Sequence, residues 1–323
     1  MRRKVIRMDN KLTAGKTRKS ECFRLGGRLF YILMLILPLI QFCIFYIGVN
    51  FNNIILAFKD YDKITGATTF NNFDNFKRIF EVYASEDILK TSIKNSFVYF
   101  GINLIITIPL TLLFAYYITK KFRYSGFFKV MIFLPSIISA MVLVVFYKFW
   151  ADLASIEFLD KVFQYKEIQE GLLGNKATRF GTVVFFNILI SFSSMILIYI
   201  NAMSQIPVSC LEAAEIDGAG EARKFFSIVI PTIWSTLVSF VLIALAGFAT
   251  NQANLFSFYG DKAYGNGLAT LGYYLFELVY STTYGGTSMY PYAAALGIFL
   301  TLIIAPLTLL ARWTLNKFGP RED

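Results

Sequence analysis

Four acidic side chains fall close together past the middle of the chain: Glu212, Glu215, Asp217 and Glu221. Small residues separate them (Ala213, Ala214, Gly218, Ala219), and Phe225, Ile228 and Pro231 follow. These types and spacings suit recognition rather than catalysis. The chain has no histidine, which removes imidazole metal ligands, histidine bases and Ser-His-Asp chemistry. Cys22, Cys43 and Cys210 are isolated, with no C-x-x-C spacing, so neither a zinc site nor a redox pair is expected. Ala14-Gly15-Lys16-Thr17 resembles the end of a phosphate-binding loop, but position 10 is Asn10 where the loop needs glycine, and no strand precedes it. What remains is an acidic surface offered to something basic.

The elements that must position this surface are short. Pro207 suits the first turn of a helix, where its missing N–H costs nothing. Residues 208–216 are mostly good helix formers, and Gly218 and Gly220 break the run. A second helix over 221–230 begins with Glu221, a favourable charge beside the helix dipole. Pro231 then opens or bends the next apolar run. Leu211 and Ala214 are three apart on one face and Glu212 and Glu215 on another, the layout of a helix presented to a partner's groove. On the residues alone, a docking elbow and an ordinary interfacial loop are equal readings.

On either side of the elbow the chain is apolar. Of its 323 residues 56% are hydrophobic and 16% are charged, against about 25% charged in soluble domains. Six runs, at 29–50, 96–119, 128–149, 180–204, 228–252 and 290–313, each approach or exceed the roughly 20 residues a helix needs to cross the bilayer. Prolines 38, 109 and 135 are expected to kink their helices. The expected fold is therefore an all-α membrane protein of six transmembrane helices. It divides into a basic tail over 1–28, a membrane domain over 29–313 with its elbow at 207–231, and a short tail over 314–323.

Charge sets the orientation. Ten Lys/Arg lie in the first 28 residues against Asp9 and Glu21. The loop after the second run holds Lys120, Lys121, Arg123 and Lys129, and the last tail holds Arg312, Lys317 and Arg321. Short basic segments stay in the cytosol, so both termini, and by parity the elbow, are expected there. The basic excess beside a membrane span reads as an anchor to lipid rather than a nucleic-acid site. The elbow is net acidic and so an exception to the charge bias. Either the neighbouring spans dictate its side, or its acids have a basic partner.

No charged residue occurs over 181–211, 225–260 or 281–311. A proton- or sodium-coupled pump would need intramembrane carboxylates, so a solute path here must use neutral groups. Its candidates are Asn187, Ser191, Ser194, Ser239, Asn251 and Asn254. Such residues also bond across helices or to backbone. Tyr264, Tyr273, Tyr274, Tyr280 and Tyr284 form either an interfacial belt or a docking face for an external protein.

The elbow resembles the cytoplasmic-loop signature of permease subunits of binding-protein-dependent ABC importers. That signature is Glu-Ala-Ala-x-x-Asp-Gly-Ala, then Phe, Ile and Pro. Here it falls on Glu212, Ala213, Ala214, Asp217, Gly218, Ala219, Phe225, Ile228 and Pro231, with Ile230 replacing the usual leucine before the proline. Asn75-Phe76 and Phe133-Leu134-Pro135 are similar to other family features. The resemblance implies the type I ABC importer permease fold in a bacterial cytoplasmic membrane. It implies that 207–231 is a coupling helix seated on an ATP-binding subunit dimer, with Glu212 paired to a basic residue there and Gly218 allowing the turn. ATP and Mg would reside in that partner, leaving this chain with no cofactor and no enzyme activity. A second homologous permease would complete a heterodimer, and an extracellular solute-binding protein would deliver the solute. The likeness is greatest to the sugar and oligosaccharide branch. A permease for a peptide, polyamine or phosphate ester is the alternative. A membrane-embedded enzyme would need clustered carboxylates or histidine at the membrane face, and a scaffold would recruit a partner without transport.

Overall fold

The computed structural model describes residues 30–61, 68–120, 123–163, 171–280 and 289–320. The basic tail 1–28, Lys121, Tyr284 and Arg321 lie outside them. The chain divides into two units, 1–56 and 57–323.

The first unit is carried by α1 (Phe30–Ala57), an apolar helix long enough to cross a membrane. Its side chains from Phe30 to Ile55 are exposed within the unit.

The second unit is a helical bundle that opens on a small hairpin. Strands β1 (Lys59–Tyr61) and β2 (Thr68–Phe70) pair antiparallel, Lys59 opposite Phe70. Helix α2 (Asp74–Ser85) follows, with Asp74 in its first turn. Buried Asn75 ties the two together, its amide donating to the carbonyls of Ala57 (2.9 Å) and Lys59 (2.8 Å). This hairpin was not expected, because its strands are too short for period-2 patterning to register.

Four longer helices form the frame: α3 (Asp87–Thr119), α4 (Ser125–Ile137), α5 (Ala140–Phe158) and α6 (Arg179–Ser204). The first begins nine residues before the predicted run at 96, because its leading turns are polar and pack against protein rather than lipid. The predicted single span over 128–149 is two helices, α4 and α5, meeting at 103°. Pro135 lies within α4, and Ile138 is extended. A proline removes one helix hydrogen bond and collides with the carbonyl four residues back, so a break nearby is the expected response.

The elbow consists of α7 (Val208–Ile216) and α8 (Glu221–Thr232). After α8 the chain bends by 73° into α9 (Trp234–Ala246). Pro231 thus stands just before a bend, and Pro109 lies inside α3, which continues to Thr119. Each follows a π-helical turn, Phe225–Val229 and Asn103–Thr107 respectively. A π turn widens the backbone where proline would otherwise clash. Helices α10 (Leu255–Tyr259), α11 (Leu271–Tyr280) and α12 (Tyr290–Phe318) follow. Pro291 occupies the first turn of α12, a position that needs no N–H donor. Among the described residues, four helices are long and apolar enough to span a membrane, and six if each bent pair is one span.

The buried core has three parts. One, around Leu112, Ala115, Tyr199, Phe225 and Val229, joins α3 and α6 to the elbow. A second gathers Tyr99, Val144, Phe186, Leu255, Phe258 and Tyr273. A third packs α2, α11 and α12 through Ile79, Tyr274, Tyr292 and Leu296.

Candidate functional site: an elbow and a polar cavity

The elbow's bend has a definite construction. Pro207 is not in the helix; it precedes α7 in an extended conformation and caps it. At the other end Asp217 is the last half-helical residue and Gly218 turns left-handed, φ +76°. The N–H of Ala219 reaches back to the carbonyl of Ala214 (2.8 Å) and that of Gly218 to Glu215 (3.0 Å). This pair of bonds is a Schellman closure. It explains why alanine, glycine and alanine recur at 214, 218 and 219: small residues let the chain fold back, and φ > 0 suits glycine. A Cβ on Gly218 would meet nothing within 4 Å, so the requirement lies in the backbone angle alone.

The signature then separates into two sets. Leu211, Phe225, Ile228 and Val229 anchor the elbow in the core, and Pro231 is half-buried beside them. Glu212, Ala213, Asp217 and Gly218 are exposed, as is Ile216, whose apolar side chain is 88% exposed. Ala214 and Ala219 are intermediate. Among the described residues Glu212 and Asp217 make no ion pair. The other two acids do. Glu215 pairs with Lys224 (3.3 Å), and Glu221 pairs with Lys224 (3.2 Å) and with Lys120. Tyr116 also donates its hydroxyl to Glu221 (2.9 Å). Part of the elbow's acidity is therefore met from within the chain. Sequence reasoning missed Lys120, Lys224 and Tyr116 in this role; the Glu221–Lys224 spacing of three was the available signal.

A cavity of about 230 Å³ lies between α3, α6 and α9. Its polar lining is Ser96, Tyr99, Asn103, Ser191, Asn251 and Thr270, with Phe100 and Phe248 as aromatic walls and no Asp, Glu, Lys or Arg. The Tyr99 hydroxyl and Asn103 Oδ1 are buried and have no hydrogen-bond partner among the described residues. Buried polar groups are normally paired, so each of these two atoms, enclosed in this conformation, retains an unused hydrogen-bonding capacity. A larger groove of about 380 Å³, lined by Leu113, Phe114, Tyr117, Ile118 and Phe128, is apolar and has little to hold such a solute.

Of the six path candidates, Ser191 and Asn251 line this cavity. Asn187 and Asn254 are bonded to each other, 3.0 Å from Nδ2 of Asn254 to Oδ1 of Asn187. Ser194 and Ser239 are exposed and return their hydroxyls to carbonyls of their own helices, Ile190 and Ser235. The sequence contained a further signal in α3, where Ser92, Ser96, Tyr99 and Asn103 recur at helical spacing on one face. Tyr273 and Tyr274 correct the expected belt or docking face: both are buried. Tyr273 donates to the Gly260 carbonyl (2.6 Å), and the Tyr274 and Tyr292 hydroxyls lie 3.4 Å apart. Tyr280 is exposed and stacks on Phe276.

The chain is similar to known proteins in sequence and fold. The chain is 23% identical over 283 residues to the probable ABC transporter permease protein YurN of Bacillus subtilis, covering 86% of this chain and 93% of that protein. It is 24% identical to the arabinooligosaccharides transport system permease protein AraP of Bacillus subtilis, covering 84% of each. It shares its fold with a chain of the bacterial alginate ABC transporter, solved in complex with an alginate pentasaccharide-bound periplasmic protein: TM-score 0.73, 21% identity, 88% of this chain and 92% of that one. Residues 94–322 match the family model of the binding-protein-dependent transport system inner membrane component, and the chain is a multi-pass membrane permease of that family.

Proposed function

We propose that the chain is one permease subunit of an ATP-driven importer for a carbohydrate, specifically an oligosaccharide. It forms half of the translocation path in a bacterial cytoplasmic membrane, with both termini and the elbow in the cytosol. A second homologous permease supplies the other half. An external solute-binding protein delivers the sugar, and a separate ATP-binding subunit dimer engages the elbow at 207–231. The observation that carries this reading is the pairing of two features in one bundle: an exposed elbow bearing Glu212 and Asp217, and an uncharged cavity with unpaired hydrogen-bonding groups.

The physical logic runs from the cavity outward. A sugar offers hydroxyls and apolar ring faces, which match a lining of hydroxyls, amides and aromatic walls. The Tyr99 hydroxyl, Asn103, Ser191 and Asn251 are the groups assigned to it. The absence of ionised groups weighs against a polyamine or phosphate ester, either of which needs a countercharge when taken out of water. The sugar-related names of AraP and of the alginate transporter support the same class. Energy is taken to enter at the elbow, because the cavity is lined by no carboxylate that could couple an ion to the solute.

The test is uptake into proteoliposomes holding both permeases and the ATP-binding subunit, supplied with the solute-binding protein. Labelled oligosaccharides, peptides, polyamines and phosphate esters are offered in parallel. ATP-dependent entry of an oligosaccharide is expected; entry of another class alone contradicts the sugar assignment.

A further inference from the structure

Glu221 stands at the start of α8, and its two carboxylate oxygens face different elements. Oε2 takes the Tyr116 hydroxyl and the Lys120 ammonium, both from the end of α3. Oε1 takes Lys224, one turn further along α8. Lys224 is 6% exposed at its side chain and also reaches Glu215, on α7. The chain of contacts therefore runs from α3 through Glu221 and Lys224 to the helix that carries Glu212. Apolar contacts accompany it, with the Tyr116 and Phe225 rings 5.1 Å apart and the Lys120 ammonium 5.0 Å from the Tyr116 ring centre.

These contacts differ in what they constrain. Apolar packing is non-directional and tolerates sliding. A carboxylate held by three donors favours one register and rotation, because each charge-assisted bond has its own geometry, even though solvent at the 57%-exposed Glu221 weakens each bond. A lysine as buried as Lys224 is also costly to leave unpaired, so the elbow cannot shift without carrying its partners or breaking the cluster. The helix at the other end of this connection is α3, which supplies Ser96, Tyr99 and Asn103 to the cavity. From Tyr116 to Tyr99 it runs on the order of 25 Å.

We propose that Glu221, held between Lys120 and Lys224, is a latch that makes the elbow and α3 move as one body, so that displacement of the elbow reaches the cavity through α3. Lys120, Tyr116 and Lys224 are positioning residues: they hold Glu221 and lie outside the lining of the cavity. The proposal rests on the elbow being the handle for an ATP-binding subunit.

Hydrolysis and uptake are measured together in vesicles of the full transporter with its solute-binding protein. Lys120→Met keeps the stem of the side chain and removes its charge. Hydrolysis is expected to stay within about twofold of the parent, and uptake per ATP to fall about fivefold or more, the lower end of ordinary coupling between sites. Lys120→Arg, which keeps the charge, is expected to restore uptake per ATP to within about twofold. Unchanged uptake per ATP in Lys120→Met overturns the latch. So does a proportional loss of hydrolysis and uptake, which marks lost docking rather than lost transmission. Should Lys120→Met fail to assemble, Tyr116→Phe carries the test: a drop of about twofold in uptake per ATP supports the latch and no drop overturns it. Parent vesicles whose uptake does not require ATP would sink the functional reading as well as the latch, an outcome distinct from a coupled parent with an indifferent variant.

Discussion

The side-chain amide of Asn254 donates to the amide oxygen of Asn187 across 3.0 Å, joining α6 to the turn that follows α9. Asn187 gives its own N–H groups to the carbonyls of Val183 and Ala253, each at 2.9 Å. Ala253 and Asn254 both hold positive φ, 51° and 54°. A left-handed alanine is uncommon, and this amide clamp is what holds the turn in place beside the cavity-lining Asn251.

Asn187→Ala leaves the Ala253 carbonyl and the Asn254 amide without their partner. The expected loss of stability is about 1–3 kcal/mol, read as a lower melting temperature of the detergent-solubilised chain. The solute concentration for half-maximal uptake is expected to stay near the parent value. An unchanged melting temperature with weakened solute dependence would reverse the assignment and place Asn187 on the path.

Tyr99→Phe tests the cavity in the opposite sense. It removes a hydroxyl that has no partner within the described protein, so stability is expected to hold or rise slightly. If that hydroxyl meets the sugar in transit, uptake is expected to fall about tenfold, equivalent to about 1.4 kcal/mol of lost interaction. Parallel melting curves and uptake rates decide the matter, and parental uptake would exclude Tyr99 from the path.

Gly218→Val isolates the bend. There is open space around a Cβ at this position, so the change acts through φ +76° alone. Forcing a β-branched residue into the left-handed region costs about 1–2 kcal/mol or more. ATP-driven uptake is expected to fall while solute capture by the external binding protein is unchanged. Gly218→Asn, which tolerates that region better, is expected to retain more uptake than Gly218→Val. Equal uptake in the parent and the valine variant would remove the bend from the coupling path.

Sequence and structure agree best where local chemistry decides the outcome. The elbow's two helices and its glycine break were readable because helix formers, glycines and Pro231 all act within one turn. The apolar runs were readable because the bilayer sets their length. What could not be read depended on contacts distant in sequence. The 103° bend between α4 and α5 needs Pro135 and its packing together. The division of the elbow's acids could not be seen while Lys120 was counted only as one more basic loop residue. Asn187, chosen as a polar group for solute, makes bonds to Ala253 and Asn254, sixty-six and sixty-seven residues away.

The latch implies a pH dependence. Burial lowers the pKa of Lys120 from the ordinary lysine value; the charge of Lys224 acts the same way and Glu215 opposes it. The groups facing Lys120 are Glu221, Glu215, Lys224 and the Tyr116 hydroxyl. A lowered pKa means the ammonium loses its proton at a lower pH than a free lysine does. The pair with Glu221 is then intact at neutral pH and lost on the alkaline side, below the ordinary value of 10.5. Fold stability moves the other way, since burying the charge opposes folding below the folded-state pKa and this opposition fades as pH rises. Arginine keeps its charge throughout. Uptake per ATP in the parent, divided by that in Lys120→Arg, is expected to be level near neutrality and to decline as pH rises. A flat ratio would contradict the assignment.

The most direct measurement uses Glu212, exposed on α7 and without an ion pair among the described residues. Uptake is compared in vesicles with and without the ATP-binding subunit, for the parent and for Glu212→Lys, with assembly checked by co-purification. No uptake without the subunit and a loss of about tenfold or more in an assembled Glu212→Lys transporter, the size expected for reversing one close charge pair, are the expected results. Parental uptake by Glu212→Lys, or transport by this chain with no ATP-binding subunit present, would contradict the claim that a partner's ATP hydrolysis drives the permease through this elbow.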